Sequence, residues 1–241
     1  MRLADGEEPP SYATSPFDAM TAGTLPPECA PSHRRDRQPL PMDDARGLAN
    51  VSIAATGDPQ HWPSEGEPVV HEVHIVDCRM TPETITATVG DRLRLMNDLP
   101  YPFMPELGRG VLQSVLPNDP MEVPIDQGGA RQIECGFAAP CGRLQLIAFH
   151  HPVHTVTTEG GHFRIENAPA DQELTINAWH PVLQVGTTTT RVTPGGTVHV
   201  EIIVHRVETP PAEPVPGGAP PPPTTTTTTT TPPPTTEAVS S

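Results

Sequence analysis

From Val51 to Val207 the chain is a series of short runs, and none keeps the i, i+3, i+4, i+7 apolar spacing of an amphipathic helix. ANVSIAATG alternates. VVHEVHIVDC places Val69, His71, Val73 and Ile75 on one face, and ETITATVGDRLRLMND joins two β-branched runs through a Gly-Asp turn. RQIECGF, GRLQLIAF, HTVTT, GHFRIEN, ELTINAW, GTTTTRV and TVHVEIIVHRV follow, with hairpin glycines in EGGHF and TPGG. Strands this short, separated by Gly, Pro and Asn/Asp turns, close into sandwiches, because a single sheet has one face to bury and no helix here covers it. The expected fold class is all-β.

The ends of the chain are different. Of 241 residues 34 are proline, gathered toward both termini, and aromatics make up only 4%. Residues 1–45 carry Pro-Pro pairs and scattered charge without a sustained period, as expected of a disordered leader. Residues 209–241 form a Pro/Thr-rich tail with eight threonines at Thr224–Thr231, where proline removes amide donors and favours extended polyproline conformations. Its composition is that of an O-glycosylated stalk or of plain low-complexity sequence. Either serves as a spacer.

The formal net charge is −15, from 29 acidic and 14 basic residues, and the densest basic stretch is HRRDR at His33–Arg37. Nucleic acid and anionic membrane surfaces need a basic face and are not expected partners. No apolar run approaches the ~20 residues that span a bilayer. The first twenty residues lack the apolar stretch of a secretory signal.

Four cysteines, Cys29, Cys78, Cys135 and Cys141, stand in β-rich surroundings and suit disulfides in an oxidising compartment. Two readings of CGFAAPC stand side by side. One is a disulfide joining Cys135 to Cys141, or joining Cys78 to either of them. The other is a Cu(I) or Zn site in which Cys135, Cys141 and Met104, with Cys78 as a further candidate, converge as reduced soft ligands. HHPVH adds His150, His151 and His154. His150 and His154 share a strand face by spacing, although Pro152 interrupts the ladder between them. No Gly-x-Ser-x-Gly elbow, His-Glu-x-x-His helix or phosphate-binding glycine loop is present. Cys135 with His150 or His151 as thiol and base is the weakest reading.

The stretch containing Cys78, Arg79 and Pro82, then Val89, Gly90 and Asp91, then Asn97 and Asp98, resembles the front half of small cupredoxin-like proteins of bacterial envelopes, some connected with methylamine utilisation. The later stretch with Thr157, Gly161, Phe163, Pro169 and Ala178–His180 resembles a carboxypeptidase-regulatory, transthyretin-like sandwich. The resemblance implies a cupredoxin-like Greek-key domain over 46–155 and a small transthyretin-like sandwich over 156–208. It also locates a copper position. The thiolate would be Cys135, the second histidine falls on Ala138, the axial methionine on Cys141, and the first histidine on Phe103 or Met104. Three of these four positions lack the family's ligand, so a type 1 copper site is not expected.

These readings predict a non-enzymatic, periplasmic or cell-surface protein without a cofactor, binding an envelope protein or a glycan. The alternative is a periplasmic copper-binding protein that uses Met104, Cys135, Cys141, His150 or His154.

Overall fold

The computed structural model describes residues 1–11, 29, 39–63, 66–107, 113–135 and 141–207. Among them are thirteen strands and two short 3-10 turns, with no α-helix, so the all-β expectation holds. The strands surround two separate apolar cores.

The first core lies between two sheets. One contains β3 (Val70–Val76), β4 (Arg79–Thr81), β6 (Arg92–Asn97) and β7 (Met121–Pro124) in the order β4-β3-β6-β7. The other contains β5 (Thr84–Thr88), β8 (Gly129–Glu134) and β9 (Arg143–Phe149) in the order β5-β9-β8. Burial follows the pleat: in β6, Leu93, Leu95 and Asn97 are buried while Arg92, Arg94 and Met96 are less so. Phe103, Leu95, Met80 and Leu144 are fully enclosed. β3 pairs with β6 in parallel, and β5 with β9 likewise, because the chain crosses from one sheet to the other between partners.

Two turns fix this register. Asp77 and Cys78 both take left-handed backbone angles (φ 50° and 59°) in the two-residue loop between β3 and β4, as a type I′ hairpin demands. In the Val-Gly-Asp turn, Gly90 supplies φ 107°, and the Asp91 carboxylate accepts from the amides of Val69 and Thr88, both at 2.8 Å. That carboxylate joins the starts of β3 and β6 to the end of β5.

The second core lies against a sheet of order β10-β2-β11-β12, made of β2 (Ser52–Thr56), β10 (His154–Val156), β11 (Glu173–Trp179) and β12 (Gly186–Arg191). A parallel pair, β1 (Arg2–Leu3) with β13 (Ile203–Val204), adds Leu3, Ile202 and Val204 to the same core. Thr157 fastens the segment ahead of β2: its hydroxyl donates to the Leu48 carbonyl (2.7 Å) and accepts from the Val51 amide (3.0 Å).

Two expectations are corrected by this arrangement. The leader 1–45 is not wholly without structure, because β1 is paired and Leu3 and Leu40 are buried. Arg46 holds β1's segment by donating to the carbonyls of Leu3, Ala4 and Glu7. The boundary at 155/156 cuts through β10, and β2, assigned to the first domain, pairs with β10 and β11 of the second sheet. The tail 209–241 lies outside the described residues.

Candidate functional site

One end of the first sandwich gathers all four cysteines. Cys29 is bonded to Cys78 with Cα atoms 5.1 Å apart, and Cys135 to Cys141 at 5.4 Å, both within the span a disulfide needs. The Cys135–Cys141 pairing agrees with one reading of the sequence. Cys78 bonds to Cys29, which replaces the expected bridge from Cys78 to Cys135 or Cys141.

Each bond is tied into the fold. The Tyr101 hydroxyl lies 3.6 Å from both Cys29 Sγ and Cys78 Sγ. The Cys141 carbonyl accepts from the Met80 amide at 2.8 Å, which fastens the loop to β4. Buried Asn97 shapes the neighbouring segment by donating to the carbonyls of Tyr101 (2.8 Å) and Val115 (3.0 Å) while accepting from the Leu99 amide. The result aligns Phe103 with Val115 and Pro105 with Cys135 as bridged pairs, so Phe103 and Met104 stand beside the cysteine loop.

Topology therefore brings together the positions that the cupredoxin resemblance names, but the side chains carry different chemistry. Phe103 is an enclosed phenyl ring, Met104 is half-buried, and Cys135 and Cys141 have no thiolate to offer while bonded. Ala138 lies outside the described residues. Among the described residues no cysteine is free, and no group of three or more His, Cys, Asp or Glu side chains is placed to hold a metal ion.

The histidines of HHPVH stand at the other end. β9 runs from Arg143 to Phe149, and at about 3.4 Å per residue the strand alone puts roughly 20 Å between the end that carries Cys141 and the end that carries His150. The five alternative ligands thus do not converge: Met104 and the cysteines are at one end, His150 and His154 at the other. His150 is exposed and packs on Gly128, where an added Cβ would come within 2.7 Å of its ring. His151 stacks on Trp62 with ring centres 4.3 Å apart. His154 turns inward, stacks on Phe149 at 5.1 Å and meets the Thr88 hydroxyl through Nε2 at 3.2 Å, joining β10 to β5 across the two sandwiches.

This junction is electrostatically tuned. Burial, with a smaller contribution from His151, pushes the His154 pKa down to about 4, and its Nδ1 is enclosed without a hydrogen-bond partner among the described residues. Burial at Asp91 raises its carboxyl, but the hydrogen bonds from His71 and the amides of Val69 and Thr88 outweigh that and hold it below the usual range. His71 Nε2 lies 2.8 Å from Asp91 Oδ2. His180, 1% exposed in the second core, is lowered by burial to about 3 and accepts from the Val182 amide through Nδ1. Enclosure keeps the His154 and His180 imidazoles neutral.

No protein-family model matches the chain. No curated protein matches it either. Among solved structures it is similar to amicyanin from Paracoccus versutus, with 14% identity over 40% of this chain and 98% of that one and a TM-score of 0.30. A reduced amicyanin variant matches at 19% identity over 40% of this chain and 99% of that chain, TM-score 0.30. A copper-containing nitrite reductase from Thermus scotoductus matches at 13% identity over 36% of this chain, TM-score 0.29, and the match spans only 23% of that enzyme. At these values the likeness assigns neither metal nor activity to this chain.

Proposed function

We propose that this chain is a non-enzymatic binding or structural protein of an oxidising cell-envelope compartment. In this reading a cupredoxin-like sandwich with a closed copper position is joined to a carboxypeptidase-regulatory-like sandwich. The observation that carries the reading is the Cys135–Cys141 disulfide beside enclosed Phe103: the loop that would supply a thiolate is covalently shut, and the facing position offers no donor atom. Two disulfides and no free cysteine among the described residues support the compartment. Among those residues no helix is long and apolar enough to cross a membrane. The partner in this reading is an envelope protein or a glycan.

The test is copper titration of the full chain, oxidised and reduced, with metal content measured after desalting and free thiols counted in parallel. The proposal expects no retained copper in the oxidised protein and no free thiol. One tightly held, colourless copper per reduced chain, with thiols titratable in the native protein, would move the chain to the alternative, a Cu(I)-handling protein using Met104, Cys135 and Cys141.

A further inference from the structure

Two disulfides share one end of the first sandwich, and the fold treats their sulfurs differently. Cys29 and Cys141 are 0% exposed and Cys78 1%, whereas Cys135 is half-buried and packs against the core from its rim. Both residues of the Cys29–Cys78 bond therefore lie inside, with the Tyr101 hydroxyl 3.6 Å from each sulfur. The Cys135–Cys141 bond has one enclosed end and one end at the surface.

The asymmetry follows from where the two cysteines of the loop sit. Cys135 directly follows β8, an outer strand of the β5-β9-β8 sheet, and bridges to Pro105. Cys141 stands two residues ahead of β9, and its carbonyl accepts from the Met80 amide on β4 at 2.8 Å. Gly142 beside it takes φ 69°, and a Cβ there would stand 3.3 Å from the Arg79 Cα, so the chain at Cys141 is pressed onto β4. One sulfur is thus held at the rim and its partner is drawn beneath it.

We propose that Cys135 is a site of reversible modification by low-molecular-weight thiols, with Cys141 as the resolving thiol. Thiol–disulfide exchange starts when a thiolate attacks one sulfur of the bond, and access decides which sulfur is attacked. The incoming sulfur bonds to Cys135 Sγ, the Cys135–Cys141 bond breaks, and its electron pair leaves on Cys141 Sγ, which then takes up a proton. One disulfide is exchanged for one mixed disulfide, so no outside oxidant is consumed. The Met80 contact keeps the released Cys141 within reach of Cys135. Its thiolate attacks Cys135 Sγ in turn, re-forms the original bond and expels the small thiol. The Cys29–Cys78 bond presents no comparable end while the sandwich is folded. The inference rests on the closed Cys135–Cys141 loop of the proposed function and goes beyond it by making that closure reversible.

Reduced glutathione on the full chain is the test. Free thiols are counted first in the native protein, and glutathione is then added near its thiol pKa of about 8.5, where the thiolate is populated. Acid-quenched samples are alkylated and mapped by peptide mass spectrometry. The expected result is glutathione on Cys135 and alkylation on Cys141, appearing about 100-fold faster than any thiol at Cys29 or Cys78, whose exchange waits for opening of the core. Removing glutathione returns the thiol count to zero. In guanidinium chloride strong enough to unfold the chain, the two bonds react at comparable rates. An adduct on Cys141 in place of Cys135 would overturn the proposal, as would equal rates for the two bonds in the folded protein. A rate gap that persists in denaturant overturns it too, by assigning the selectivity to loop length and not to enclosure. Inertness of the Cys135–Cys141 bond in a chain without free thiols refutes this inference and leaves the closed-loop reading standing, whereas free thiols at both positions before glutathione is added refute both.

Discussion

Acid should destabilise this protein well before its carboxylates are titrated, and His180 should be the main cause. Its pKa is lowered from 6.5 to about 3 in the fold, and that of His154 to about 4, both by burial first. A lowered histidine binds a proton in the unfolded chain at a pH where the folded chain refuses it. Folded stability is therefore complete above pH 6.5 and falls as the pH drops toward the folded values, by about 1.4 kcal/mol per pH unit for each group. Between about pH 6.5 and about pH 4.5 His180 costs about 2.7 kcal/mol, and His154, partly reached by solvent, about 1.5 kcal/mol after discount. The sum of about 4 kcal/mol is a large part of an ordinary domain's 5–15 kcal/mol. Asp91 adds nothing in this window, since its carboxyl is held below 3.8 and its contribution is lost only under stronger acid. Urea unfolding followed by circular dichroism at pH 7 and 4.5 measures the loss directly. His180→Gln keeps a polar side chain of similar size without the titration, so it should be less stable than the parent at pH 7 yet lose about 2.7 kcal/mol less on acidification. If parent and variant lose the same stability between the two pH values, the buried neutral imidazole is not the source and the reasoning fails.

The two disulfides should differ in weight. Their sequence separations are 49 and 6 residues, so chain entropy predicts that a Cys29→Ser/Cys78→Ser variant loses about 4 kcal/mol and a Cys135→Ser/Cys141→Ser variant about 2.4 kcal/mol, read from denaturant midpoints. Replacing Phe103→His, Ala138→His and Cys141→Met together frees Cys135 and supplies the absent donors; under the cupredoxin-like reading this variant gains an intense visible thiolate-to-copper band, and a colourless product on copper addition counts against that reading. Gly47→Ala should destabilise the second core by 3 kcal/mol or more, on the order of the largest core substitutions, because its Cβ would lie 2.1 Å from the Gly160 carbonyl oxygen, where backbone and not a side chain must give way. Thermal unfolding checks it, and an unchanged midpoint would mean that the two loops are not in contact.

What could be read from the sequence was whatever is encoded locally. Alternation gave the strands of the first sandwich, and Gly90-Asp91 announced its turn because only that pair supplies both a positive φ and a carboxylate to hold the amides. The Cys135–Cys141 bridge was within reach for the same reason, being six residues long. Partner choice over long separations was not legible. Nothing in SIAAT says that Ile53 pairs across to Ala178 and Thr155 rather than to its sequence neighbours, since a period of two fixes a face and leaves the partner open. β1 has two residues, too few for any period, and is held instead by Arg46 and by Glu7, whose carboxylate meets His205 and the Arg206 amide. His154 misled for a related reason: spacing placed it beside His150 as a ligand, while packing against Phe149 and Thr88 made it part of the junction.

The two ends of the first sandwich carry different chemistry. At the cysteine end the described cysteines are paired in disulfides and Phe103 is an enclosed ring, while the Met104 thioether stays half-buried. At the junction, burial lowers His151 and His154 and at His154 outweighs the opposing pull of Asp91, which makes these two imidazoles sensors of acid more readily than ligands.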